Sequence, residues 1–309
     1  MRVGLRTVSR VSKVIQKFEL PTWLLIIAVY GGWFVMTWYG AGLPWWVLLA
    51  VGGGFTGWYY SLQHEVIHGH PTASRRINDL LGYAPLGLFI PYDIYRACHI
   101  LHHRPETLTL PGEDPESYYF DADTWAAMPR PLKIINIVNN SLIGRLTVGV
   151  VIIIARFWWA EIRLLLGGDR SHLIAWAKHG ILVAAVLYWV SEICGIPAWL
   201  YLLTFAYPGL AWTLMRSYSE HRAAAHPDHR TAIVESEMLG LLYLNNNLHA
   251  AHHAQPDLPW YQLPAFYQAN KDRFLAENDG FFFDGYGAVI RKFLFAPIDA
   301  PVINKSPER

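Results

Sequence analysis

The sequence predicts an all-α integral membrane fold: four transmembrane helices in two hairpins with a cytoplasmic helical cap, forming a single domain over residues 1–309. Three observations predict it. Hydrophobic residues make up 53% of the chain and charged residues only 16%, outside the range of soluble domains. Two long runs, Thr22 to Ala73 and His179 to Met215, contain no Lys or Arg, and a Gly/Pro turn breaks each one. The Lys and Arg residues are distributed as five before the first run, eleven from Arg75 to Lys178 and nine from Arg216 onward, which sets an orientation.

A bilayer demands about 20 apolar residues per helix. Gly40-Ala41-Gly42-Leu43-Pro44 divides the first run into spans of 22–39 and 44–62, and Gly195-Ile196-Pro197 divides the second into 180–195 and 198–216. Basic residues stay on the inner face, so both termini are expected in the cytoplasm of a bacterial inner (plasma) membrane. Trp38, Tyr39, Trp45 and Trp46 then form an outer aromatic belt. Arg2, Arg6, Arg10, Lys13 and Lys17 recur about every four residues, which suits an amphipathic surface helix over residues 1–21. Leu81 to Tyr92 is too short to cross and is interrupted by Pro85 and Pro91, so it reads as an interfacial or re-entrant segment. Pro105 to Pro131 reads as a loop. Leu132 to Gly167 has Arg145 and Arg156 bracketing only half a bilayer, and is expected to be an amphipathic helix lying on the cytoplasmic face.

The chemistry-bearing residues are histidines in three cytoplasmic boxes. These are His64-Glu65-Val66-Ile67-His68, His99-Ile100-Leu101-His102-His103 and His249-Ala250-Ala251-His252-His253. On a helix, residues three or four apart share a face, so His64 and His68 can grip one ion, as can His99 with His102 or His103. Adjacent histidines diverge by about 100°, so one box can serve two ions. Eight imidazoles exceed one tetrahedral site, and a dinuclear centre follows. Cys98 and Cys194 form no CxxC pair, so the centre is built without thiolates. Imidazole suits Fe, Zn, Cu and Ni alike. Glu65, Asp93, Asp114, Glu116 and Glu220 are the acids placed to accept the second ring N–H of ligating histidines. His70 follows Gly69, which ends the helical register, and His172, His179, His226 and His229 stand outside the boxes as ordinary histidines. The net charge of +1 argues against a nucleic-acid partner.

The order HxxxH, HxxHH, HxxHH beside two membrane hairpins resembles the membrane fatty acid desaturase and hydroxylase superfamily, over about residues 22–260. The resemblance implies a diiron centre held by His64, His68, His99, His102, His103, His249, His252 and His253. It implies a ninth ligand, His221, in Arg216-Ser217-Tyr218-Ser219-Glu220-His221. Stearoyl-CoA desaturases carry an asparagine one turn before that histidine, supporting a metal-bound water. Ser217 stands there in this chain, and Asn245 to Asn247 are the candidate substitutes.

The activity implied is O2-dependent oxidation of a long apolar chain, with desaturation of a fatty acyl group the leading case. Hydroxylation or ketone formation on an acyl lipid, alkane or carotenoid is the alternative, and Asp114-Pro115-Glu116 is similar to a feature of carotenoid ketolases and hydroxylases. Electrons are expected from a separate ferredoxin, rubredoxin or cytochrome b5 type carrier, because the chain has no flavin or nicotinamide fingerprint. A rival reading takes His64-Glu65-Val66-Ile67-His68 as the HExxH helix of an intramembrane zinc protease, with Asp279 in Asn278-Asp279-Gly280 as third ligand. It leaves the two HxxHH boxes unexplained.

Overall fold

A computed structural model describes residues 18–303, which are mostly helical. The amphipathic helix expected over residues 1–21 therefore lies, up to residue 17, outside the described residues. The chain packs as two compact units, one of residues 18–97 with 150–214 and the other of 98–149 with 215–303.

The first unit holds the two hairpins. Helix Leu20–Trp38 begins with Pro21 in its first turn, where proline costs no hydrogen bond. After Gly40–Gly42, the turn Trp45–Val47, a π turn Leu48–Gly52 and the helix Gly53–Ile67 run on one from another. The second hairpin repeats the plan. Helix Arg170–Tyr188 continues through a π turn Trp189–Ile193, Gly195 reverses the chain at φ 72°, and Ala198–Tyr201, a π turn Leu202–Ala206 and Tyr207–Glu220 lead back. Gly52 lies against the Phe205 ring, so the two π turns meet where no Cβ would fit. Among the described residues, two helices, Leu20–Trp38 and Arg170–Ile193, are long and apolar enough to cross a membrane. The second starts ten residues before the expected span of 180–195, because Asp169 caps it through the Ser171 and His172 amides.

The segment expected to be interfacial or re-entrant is irregular backbone between helix Arg75–Gly82 and helix Tyr92–His102, and Leu86 and Phe89 in it are buried. Its carbonyls are satisfied by side chains. Gln63 donates to Gly82 O (2.8 Å), Tyr201 to Leu86 O (2.7 Å) and Trp158 to Phe89 O (2.9 Å). The Tyr30 and Tyr59 hydroxyls reach Leu81 O and Ala84 O, and His179 Nε2 lies 2.9 Å from Leu88 O. Buried carbonyls without such partners would each cost on the order of a few kcal/mol, so aromatic hydroxyls replace the helix that Pro85 and Pro91 forbid.

The region expected to be one amphipathic helix, Leu132 to Gly167, is instead three helices, Arg130–Asn139, Leu142–Leu146 and Val148–Leu166. The breaks have local causes. Ser141 caps the middle helix by accepting from Gly144 N (3.2 Å), and Thr147 sits at φ −111°, ψ −89°, outside helical geometry.

In the second unit, a short parallel pair joins Ile233–Val234 to Phe282–Phe283. Ile233, Leu248, Ala250, Ala251, Leu263, Phe266, Tyr267 and Phe274 form a buried core on which helix His249–Ala254 is seated. The small residues Ala250 and Ala251 let that helix approach the core closely while its histidines stay available.

Candidate metal centre

Helix Tyr92–His102 ends in the second box, so His99 and His102 lie one turn apart and His103 follows. The third box is aimed by its surroundings. Leu244 and Asn245 take left-handed conformations (φ 50° and 59°) that turn the chain before it, and Ala250 N donates to Ala232 O at 3.0 Å. His221 follows helix Tyr207–Glu220 and bridges Thr231 in antiparallel fashion.

These elements sort seven histidines of the second unit into two nests. One holds His102, His221, His249 and His253, whose donor nitrogens all lie within 4.8 Å of one another. The other holds His99, His103 and His252, with His103 Nε2 3.1 Å from His99 Nε2 and 3.2 Å from His252 Nε2. Each HxxHH box is thus split between nests, its first and last histidines going to one nest and its middle one to the other, as the 100° divergence of neighbours requires.

The Nδ1 atoms explain which nitrogen faces inward. His102 Nδ1 meets Asp114 Oδ1 at 3.0 Å, His99 Nδ1 meets Glu116 Oε1 at 2.9 Å, and His221 Nδ1 meets Arg230 O at 3.2 Å. His249 Nδ1 lies 3.1 Å from Glu220 Oε1 and 3.2 Å from Asn246 O. A neutral imidazole whose proton is on Nδ1 presents a bare lone pair at Nε2. His221 Nε2 stands 3.0 Å from His102 Nε2 and 2.9 Å from His249 Nε2, and His253 Nε2 is buried without a hydrogen-bond partner. Lone pairs so close repel unless a cation lies among them, and four converging imidazoles, three of them oriented by acceptors, are a donor set that fits a metal ion.

Electrostatics agree. Burial, then the neighbouring imidazoles, holds His221 and His253 well below the ordinary imidazole value, keeping them neutral. Burial opposes charge on His102 as well, but Glu116, Asp114 and Glu220 outweigh it and raise that imidazole to about 9. In the metal-free protein a proton on His102 thus relieves the crowding that a bound cation would relieve in its place. Glu220 is held down despite its burial by Arg216, at 3.1 Å, and by His249.

In the other unit, His64 lies in the last turn of Gly53–Ile67 and His68 caps it, with ring centroids 4.7 Å apart. Gly69, at φ 102°, ends the helix as expected, and His70 turns away to Glu19 at 2.7 Å. Of the five acids expected to orient histidines, Asp114, Glu116 and Glu220 do so. Asp93 does not: it accepts from Tyr83 (2.7 Å) and pairs with Lys178 (2.5 Å). His172 pairs with Glu161, and His226 and His229 share a surface turn. Asp279, the third ligand of the protease reading, is exposed and faces Arg222 at 3.4 Å. Asn245 and Asn247 spend their amides on the carbonyls of Trp260 and Val234. The carbonyls of Arg230 and Asn246 carry no sequence signal, since every residue has one.

Residues 41–285, most of the chain, match the model of the fatty acid desaturase family. The chain belongs to that family. Its members are membrane-associated oxidoreductases with O2-dependent desaturase or hydroxylase chemistry, and they generally use iron. No curated protein matches the chain in a sequence comparison.

Proposed function

We propose that this member of the family is a multi-pass membrane enzyme with a diiron centre that oxidises a long apolar chain, with desaturation of a fatty acyl group as its reaction. The observation that carries this reading is the division of the box histidines into two nests with inward Nε2 lone pairs and outward Nδ1 acceptors. His102, His221, His249 and His253 would hold one iron. His99, His103 and His252 would hold the other, and the family resemblance adds His64 and His68 to the iron ligands. Irons held there would supply O2 chemistry suited to an unactivated C–H bond, with electrons expected from a separate ferredoxin, rubredoxin or cytochrome b5 type carrier.

The chain's own residues do the rest. Asp114, Glu116, Glu220 and the Arg230 carbonyl fix imidazole tautomers and orientation, and the burial of His102, His221 and His249 excludes the water that would quench a strong oxidant. The spans 22–39, 44–62, 180–195 and 198–216 would carry both termini and the histidines on the cytoplasmic side of a bacterial inner membrane. The exposed Trp38, Trp45, Trp46 and Trp199 around the two hairpin turns support an interfacial aromatic belt there.

Mass spectrometry of lipids from cells with the intact protein and with His253→Ala tests the reaction. An added double bond in acyl chains only with the intact protein is expected. Lipids gaining a hydroxyl or keto oxygen would assign the alternative, and no difference between the two lipid pools would overturn the reading.

A further inference from the structure

We propose that Asp299, near the C-terminus, is a positioning residue that clamps together the two chain segments orienting the histidine nests. The inference rests on the metal-binding reading above. Residues 294–303 run as a strap across the unit. Ile143 N donates to Leu294 O (3.0 Å), Tyr218 Oη to Ala296 O (3.0 Å), Phe120 N to Pro301 O (2.9 Å) and Ile303 N to Phe120 O (2.9 Å). Asp299 sits in the middle of this strap, and one of its oxygens holds both segments. Oδ2 accepts from Ala223 N at 2.7 Å, two residues past His221, and from the Tyr119 hydroxyl at 2.9 Å, three residues past Glu116. The Asp299 carbonyl takes a third donor, Asn140 Nδ2, at 2.7 Å.

The two held segments also touch each other. Tyr118 stacks on Tyr119 with centroids 4.4 Å apart, and its hydroxyl lies 3.3 Å from the His221 carbonyl. The buried Arg145 guanidinium lies over the Tyr118 ring, 4.0 Å from its centroid, and helps to fix it. One segment carries Asp114 and Glu116, which aim His102 and His99, and the other carries His221. A single carboxylate oxygen shared by both therefore sets the spacing between an orienting acid and a ligand of the same nest. A hydrogen bond to a charged acceptor is stronger and more directional than a neutral one, which suits a clamp.

The test uses the full chain in detergent with Co(II) as probe, reading affinity and the visible ligand-field spectrum together with Tm. In Asp299→Ala both donors lose their acceptor, and Co(II) affinity should fall about tenfold or more with an altered spectrum. Asp299→Asn keeps an oxygen that can accept both donors and should restore most of the affinity. Tyr119→Phe removes one donor without disturbing packing and carries the test if Asp299→Ala fails to accumulate. Tyr267→Phe, which loses a 2.8 Å hydrogen bond to Glu235 elsewhere in the unit, should leave affinity and spectrum unchanged at a similar loss of Tm. Wild-type affinity and spectrum in Asp299→Ala, or in Tyr119→Phe if that variant must carry the test, would overturn the clamp while leaving the metal centre standing. Wild-type protein that binds no Co(II) would overturn both.

Discussion

Removing the Asp114 carboxylate should cost both stability and metal, in amounts the structure allows to be separated. The group is buried and accepts four contacts: His102 Nδ1 at 3.0 and 3.1 Å, Thr109 N at 2.8 Å and Glu116 N at 2.9 Å. Asp114→Ala strands two backbone donors and one imidazole N–H. A stranded buried donor costs about 1–3 kcal/mol, and breaking a buried charged pair typically costs about 3–5 kcal/mol in all, so the loss should fall in the latter range. A change in an acceptor that orients a ligating histidine costs about 10- to 100-fold in metal affinity, or about 1.4–2.7 kcal/mol. Asp121 provides the comparison. It caps the exposed helix Ala122–Ala127 through Thr124 N at 2.8 Å, so Asp121→Ala should lower Tm slightly and cost no metal. The assay is Tm in detergent together with iron retained after titration by a chelator. Asp114→Ala protein that keeps wild-type iron affinity would refute the assignment of Asp114 as the group that aims His102.

The other consequences are more direct. A Cβ at Gly87 would overlap the Tyr60 hydroxyl, so Gly87→Ala should destabilise the irregular segment by about 1–3 kcal/mol, and an unchanged Tm would contradict the packing described. With His221 and His253 held below the ordinary imidazole value near 6.5, the unfolded chain binds more protons than the folded one beneath that pH, so their contribution to stability falls on acidification. His102, raised to about 9, acts oppositely, with its contribution full below about 6.5 and lost as pH rises through 9. Two depressed groups outweigh one raised group in acid, so chelated protein should lose Tm between pH 7 and 5; a rise would contradict the balance. A reporter fused after Arg309 should be active only in its cytoplasmic form, and an external signal would mean that an odd number of segments spans the membrane.

What the sequence made legible was periodic or local. HxxxH and HxxHH spacing placed the histidines on helix faces, the diverging neighbours announced two nests, and acids close in sequence to a box or to His221 included the three that orient nest histidines. What it hid depends on contacts between distant residues. Asp93 looked equivalent to Asp114 by sequence distance, but Tyr83 and Lys178 claim it. The helix breaks near Ser141 and Thr147 were masked by the apolar content on either side, because a cap is a single hydrogen bond and leaves no periodic trace. The acceptors for His221 and His249 include main-chain carbonyls, and the strap reaches back from residue 299 to residues 119 and 223. Such pairings are set by tertiary closure rather than by pattern.

The central claim is that the two nests hold two irons, and metal analysis of purified, active protein tests it most directly. Two irons per chain are predicted, with parallel loss of iron and activity in His252→Ala and in His253→Ala, one from each nest. A single tightly bound zinc in fully active protein, or full iron and activity in both variants, would contradict it.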